Sequence, residues 1–271
     1  MTEHGSIRRP ARRFTAAGSE ALDEIVAEES AVALVYNGVS HAVMMATPHD
    51  LEDLGRGFSF TEGIVEKPSD IYDVEVEPVG RGFEVRLRIA NQRMAALQER
   101  RRSLAGRTGC GLCGVESLDA ALRPVAVAPA PATVSRAAVE RAMAELPNRQ
   151  IINKVNGATH AAGWADAAGR LIAVREDVGR HNALDKLAGA LAQLERKAAG
   201  TIQPGGFVVV TSRCSYEMVQ KAAALGAAAI AAVSAPTSLA IETAVEANIA
   251  LLAFVRGGRL TAYAHDERLS P

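Results

Sequence analysis

Residues 83–89 alternate strictly: Phe83, Val85, Leu87 and Ile89 are apolar, while Glu84, Arg86 and Arg88 are charged. A period of two marks a strand with one face on a core and the other in water. With the preceding "IYDVEVEPV" it predicts a hairpin over 71–90. An earlier pair of apolar runs, within 31–46, flanks Asn37-Gly38, a dipeptide suited to a type I′ turn, and predicts another hairpin. Between the two hairpins the spacing changes. Leu51, Leu54 and Phe58 recur at helical intervals, with Asp50 placed to cap the first turn. A further helix is expected over 91–103, ending near Gly106.

The second half follows a different pattern. A helix is expected over about 135–146. Four continuous apolar runs follow: "LIAVR" 171–175, "FVVVT" 207–211, "AAIAAV" 228–233 and "ALLAFV" 250–255. Runs without alternation belong to strands buried on both faces, and the segments between them read as helices. One carries Leu184, Leu187, Leu191 and Leu194 on a single face. A β-α-β-α-β-α-β order with such strands predicts a largely parallel sheet with helical crossovers. The Pro/Ala-rich "PVAVAPAPAT" separates the halves. The fold class expected is therefore α/β, α+β overall. A flexible N-terminus covers 1–27, a small β-rich N-terminal subdomain 28–123 and a linker 124–133. A mostly parallel α/β domain covers 134–271.

Composition narrows the function classes. The chain has 271 residues, 48% hydrophobic and 23% charged, with a net charge of −1. That balance gives no global attraction to nucleic acid or to an anionic membrane. The local basic excess in "SIRRPARRF" has no periodicity and reads as a frayed, solvated terminus. No apolar run approaches a membrane span, and no apolar h-region follows the N-terminal arginines. Three cysteines make no disulfide framework, so a reducing cytoplasm is expected.

Candidate chemistry gathers in two places. The loops following the four apolar strands are "EDVGRHN", "SRCSYE", "SAPTS" and "RGGR". They sit at strand carboxyl ends, where open α/β sheets bind ligands. Arg180, Arg213, Arg256 and Arg259 offer guanidiniums. Ser212, Ser215, Ser234, Thr237 and Ser238 offer hydroxyls near helix starts, and Gly257-Gly258 would admit close backbone approach. Together they suit a large, nucleotide-like anion. "EDVGRHN", with His181, is the densest of the four. Each loop alone would be ordinary, since Ser and Thr cap most helices.

The other place is "GRTGCGLCGVES", with Cys110 and Cys113 in a CxxC among glycines. A structural zinc site needs four ligands, typically two such pairs. A zinc deaminase needs H-x-E before P-C-x-x-C, whereas "THAAG" at 159–163 has no glutamate there and follows the pair. An iron–sulfur cluster wants more cysteines. A redox pair and a persulfide carrier both remain compatible with a loose thiol loop. Cys214, beside Arg213 at a strand end, reads as a buried free thiol without catalytic role.

These motifs together resemble the FdhD family of sulfur carrier proteins, from about residue 28 to 265. The resemblance rests on "MMATPHDLEDLGRGFSFTEGI", "GCGLCG" at 109–114, "THAA" at 159–162 and "REDVGRHNALDK" at 175–186. "SRCSYEMVQKA" at 212–222, "SAPTSLA" at 234–240 and the "AFVRGGRLTAY" tail complete it. The departures are Val155-Asn156-Gly157 where the family has TGG, Cys214 for a small aliphatic residue, and Tyr216 for Phe. The resemblance implies that Cys110 carries a persulfide received from a cysteine desulfurase, with Cys113 beside it. It implies delivery to the molybdenum (or tungsten) bis-guanine-dinucleotide pterin cofactor of formate dehydrogenase. It places that cofactor on Phe254, Val255, Arg256, Gly257, Gly258 and Arg259. The loop residues Arg180, His181, Arg213, Ser234 and Thr237 join them. It also implies a C-terminal domain like that of cytidine deaminases, a homodimer, and no resident metal. A non-catalytic cofactor chaperone and a thiol–disulfide oxidoreductase are the alternatives.

Overall fold

The computed structural model describes residues 5–105, 125–127, 132–198 and 205–271. Two sheets are joined through a pair of helices. The first sheet holds β3 (Ser30–Tyr36), β4 (Val39–Ala46), β5 (Ile71–Val79) and β6 (Gly82–Ile89), in the order β4-β3-β6-β5. Both expected hairpins are present. Asn37 and Gly38 have φ of 47° and 83°, the left-handed pair that a type I′ turn requires. Val85, Leu87 and Ile89 turn inward with Val32, Leu34 and Tyr36, under Leu51 and Leu54 of α1 (Leu51–Thr61) and Met94 and Leu97 of α2 (Asn91–Ala105).

Two sequence expectations fail here. Asp50 precedes α1 but does not cap it: its backbone is left-handed and its side chain accepts no helix N–H. The carboxylate instead meets His49 Nδ1 at 3.0 Å and Arg175 Nε at 3.3 Å. The segment expected to fray is also ordered. From Ser6 onward it forms β1 (Ser6–Thr15) and β2 (Gly18–Ala27), an antiparallel hairpin. Most of its side chains are solvated, so no hydrophobic alternation announced it. Arg13 bridges Glu20 at 3.1 Å and Glu24 at 2.7 Å across the strands. Asn156 Nδ2 donates to Ser6 Oγ at the hairpin's base.

The second sheet has the order β13-β12-β11-β10-β8-β9. Its strands are β8 (His160–Ala165), β9 (Leu171–Asp177), β10 (Phe207–Val210), β11 (Ala229–Ala232), β12 (Ala250–Arg256) and β13 (Arg259–Ala264). The four strands read from the sequence all run the same way. The sheet is nevertheless mixed, because β8 inserts antiparallel between β9 and β10 and β13 folds back on β12. Only β10–β11 and β11–β12 pair in parallel. The continuous apolar runs are buried on both faces. Val208, Val210 and Ile230 pack against α5 (Arg180–Ala198), α6 (Tyr216–Ala224) and α7 (Ser238–Glu246). Phe207, Val209 and Leu252 face α3 (Arg136–Arg149). A short α4 (Asn153–Asn156) precedes β8, and β7 (Val134–Ser135) pairs with β14 (Leu269–Ser270). Leu184, Leu187 and Leu191 of α5 are buried as expected, whereas Leu194 lies 41% exposed. Among the described residues no helix is long and apolar enough to cross a membrane.

The halves meet where α1 crosses α5. A Cβ on Gly57 would lie 1.6 Å from the Asp185 carbonyl oxygen, and one on Gly189 would lie 2.0 Å from that of Asp53. Backbone touches backbone, so neither position has room for a methyl group. Gly57→Ala is expected to cost about 1–3 kcal/mol through overpacking. Urea unfolding of the full chain would register this as a lower midpoint at unchanged slope.

Candidate functional site

The parallel course of β9, β10, β11 and β12 brings their carboxyl ends, and the four polar loops, to one edge of the second sheet. Because β8 runs the other way, its first residue, His160, pairs with Asp177 at the same edge. An isolated bridge laces two of the loops together. Cys214 N donates to Ala235 O, and Thr237 N donates to Cys214 O.

Half of "REDVGRHNALDK" reaches across to the first half, and Glu176 braces its own. Arg175 grips Asp53 at 2.7 Å. Glu176 accepts the backbone N–H of Ile152 and Asn153 and the Thr159 hydroxyl. Asp177 accepts from Thr47 N, Gly179 N and Asn182 Nδ2. Asn182 also donates to Met45 O. Lys186, fully buried, meets Asp177 at 2.6 Å and donates to Thr47 O. Burial pushes its ammonium below the usual lysine range, against the pull of Asp177. Further along, Lys221 Nζ lies 2.7 Å from Asp185 and 2.8 Å from Glu62. Burial works to lower Lys221, but Asp185 and Glu62 outweigh it and hold the ammonium above its ordinary value. Thr47, Glu62 and Lys221 lie within the quoted motifs, but their fastening role was not legible there, since their partners lie in the other half.

Arg180 and His181 take no part in that docking. Arg180 opens α5, and among the described residues its buried Nε has no hydrogen-bond partner. At the start of α6, Ser215 is the N-cap by position, yet its side chain does not cap the helix, and among the described residues its buried Oγ has no partner either. Unpaired buried polar groups are uncommon, and these two stand at the starts of α5 and α6. His181 Nε2 lies 2.8 Å from Glu217 Oε2. Burial and then the Arg180 charge push His160 below the usual imidazole range, with Asp177 pulling the other way.

The remaining expected residues divide. Arg213, Arg256 and Arg259 are exposed. Phe254 has a φ of 53° within a β-bulge of β12 and donates its N–H to Ser234 O. Such a conformation for an aromatic residue costs about 1–3 kcal/mol and is typically held where a site needs it. Gly257 and Gly258, at φ of 58° and 71°, form the turn from β12 to β13, which by itself accounts for both glycines. Arg136 reaches the Gly258 carbonyl at 2.9 Å. Val255 is buried on the α3 side of the sheet. Thr237 caps α7 by accepting from Ala240 N. Burial pushes the Cys214 thiol up to about 12, consistent with an inert side chain. Cys110 and Cys113 lie outside the described residues. The chain re-enters at Val125, which packs against the second-half core and lines a cleft of about 450 Å³ with Phe60, Glu62, Glu217 and Lys221. Glu217 therefore links that cleft to His181.

Fold and edge together define a mixed α/β protein with four polar loops gathered at one edge of its larger sheet. A family model described as FdhD/NarQ matches residues 27–270, and the chain belongs to that family. A Cupriavidus necator protein named sulfur carrier protein FdhD is 54% identical over 90% of this chain and 83% of its own length. Another of that name, from Bordetella petrii, is 53% identical over 93% and 89%. A third, from Xanthomonas campestris pv. campestris, is 49% identical over 98% and 92%. A crystal structure of a candidate formate dehydrogenase accessory protein from Desulfotalea psychrophila shares the fold, with a TM-score of 0.73. It is 24% identical, over 98% of this chain and 99% of that one.

Proposed function

We propose that this chain is a sulfur carrier in formate dehydrogenase maturation. It accepts sulfur from a cysteine desulfurase as a persulfide on Cys110. It passes that sulfur to a molybdenum or tungsten bis-guanine-dinucleotide pterin cofactor lying along the strand edge. The unpartnered Arg180 Nε and Ser215 Oγ at two neighbouring helix starts are the observation that carries the cofactor's placement. Relatives named sulfur carrier protein FdhD, at 53–54% identity, support the sulfur-carrier role. Arg213, Arg256 and Arg259 ring the same edge and suit the phosphates. Chain length permits delivery: from Val125 back to Cys113 a fully extended chain reaches up to about 40 Å.

Intact-mass spectrometry after incubation with desulfurase and cysteine, without reductant, tests the loading step. One added sulfur is expected, removable by dithiothreitol and absent in Cys110→Ala. Loss of two hydrogens instead would favour a redox pair, and no change would favour a cofactor chaperone. Guanosine diphosphate tests the edge. Arg180→Ala is expected to weaken its binding by about tenfold or more, the scale of one hydrogen bond to a charged group. Calorimetric titration showing unchanged affinity would remove Arg180 from the site.

A further inference from the structure

We infer that Thr47, in the first half of the chain, is a positioning residue for the ligand edge in the second: its hydroxyl holds the two-residue link that aims Arg180. That Arg180 meets a phosphate rests on the reading above; that Thr47 sets the link stands on geometry.

The link is Val178-Gly179, between the end of β9 at Asp177 and the start of α5 at Arg180. A side chain takes each of its two backbone N–H groups. Gly179 N donates to Asp177 Oδ1 at 2.8 Å, a contact local to the strand end. Val178 N donates to Thr47 Oγ1 at 3.1 Å, across 131 positions of the chain. Thr47 is fully buried, and its backbone is turned to the same place. Its N–H donates to Asp177 Oδ2 at 3.0 Å, and its carbonyl accepts from Lys186 Nζ at 2.9 Å. Asp177 is poorly placed to replace the hydroxyl, because both of its oxygens are engaged. Oδ1 also accepts from Asn182 Nδ2, and Oδ2 lies 2.6 Å from the Lys186 ammonium.

The rest of α5 is held by other means. Lys186 is anchored one and a half turns further on, and Gly189 seats the helix backbone against the Asp53 carbonyl. Arg175 and Asn182 tie the halves together as well. The halves therefore stay docked without the Thr47 hydroxyl. What the hydroxyl adds is restraint at the entry to the first turn, two residues before Arg180. A backbone N–H that loses its acceptor turns toward water or another acceptor. A displacement of about 1 Å at Arg180 is enough to break a hydrogen bond.

Three variants of the full chain separate positioning from packing. Thr47→Val keeps the shape and removes the hydroxyl. Thr47→Ser keeps the hydroxyl and removes the methyl group, which lies so close over Gly5 that a Cβ there would come within 2.3 Å of it. Thr47→Ala removes both. Calorimetric titration gives the affinity for guanosine diphosphate, and NMR gives amide hydrogen exchange at Val178. Thr47→Val is expected to weaken binding about tenfold, the scale of one hydrogen bond to a charged group, and to speed exchange at Val178. Thr47→Ser should match the wild type on both readouts, even as its urea midpoint falls with the lost methyl. Thr47→Ala differs from Thr47→Ser by the hydroxyl alone. It should behave as Thr47→Val, and it replaces that variant if Thr47→Val fails to fold. Added to Arg180→Ala, Thr47→Val should weaken binding no further, because it acts through Arg180. Wild-type affinity in Thr47→Val, equal losses in Thr47→Ser and Thr47→Ala, or losses that multiply in the double variant would overturn the inference. If the wild type binds no guanosine diphosphate, the reading of the edge fails and the aiming of Arg180 with it. Exchange then still decides the rest: faster at Val178 in Thr47→Val upholds the hold on the link, and unchanged exchange ends it.

Discussion

Cys110→Ala is expected to reduce formate dehydrogenase maturation to background while leaving the thermal unfolding midpoint where it was. The thiol would be the only covalent handle for the sulfur, so its loss removes a bond-forming step that a neighbouring hydrogen bond cannot replace. Formate-dependent dye reduction in cells whose own carrier is deleted reads this directly. Cys113→Ala separates the competing readings. A redox pair needs both sulfurs, and either substitution would then abolish function. A carrier that loads on the first cysteine keeps part of its activity without the second. A chaperone that only shelters the cofactor would tolerate both substitutions and fail instead on Arg180→Ala. Full activity in Cys110→Ala would end the carrier assignment.

Lys186→Met is expected to produce the largest loss of stability. The side chain is fully buried, and its ammonium touches both Asp177 and the Thr47 carbonyl, one partner from each half of the molecule. Removing one member of a buried ion pair strands the other, at a cost of about 3–5 kcal/mol. Against a typical total of about 5–15 kcal/mol, that is about a fifth or more. Chemical denaturation should show it as a large fall in midpoint. Reducing Asp177 to Asn alongside Lys186→Met should recover part of the loss, because the stranded charge is then gone. Additive losses in the double variant would mean that the pair is not coupled as the geometry indicates.

Elements whose packing leaves a repeating pattern were legible in the chain. The alternation of 83–89 and the four unbroken apolar runs were read at close to their true limits, and so was the common direction of β9 to β12. What escaped has physical reasons. β8, "HAAGWA", is built from small residues that carry little hydrophobic signal, yet it lies second in the sheet and makes it mixed. The β1–β2 hairpin is held by cross-strand charge pairs rather than a core, so its alternation was absent. In the site, the loop chemistry was visible but its division of labour was not. Asp177 and Asn182, two polar residues of "EDVGRHN", are fasteners whose partners, Thr47 and Met45, lie far away along the chain. The converse holds for Glu217. It was an unremarked acid until the fold set it against His181.

Cys214 has a consequence for traffic in sulfur. It stands beside Arg213 at the edge where the cofactor is proposed to lie, close to where an activated sulfur atom would be handled. A reactive thiol there would be a thief, intercepting cargo by exchange. Closed off from solvent, with its ionisation pushed up to about 12, it holds almost no thiolate at neutral pH. The fold thereby allows a third cysteine near the proposed delivery point without giving the cargo a wrong address.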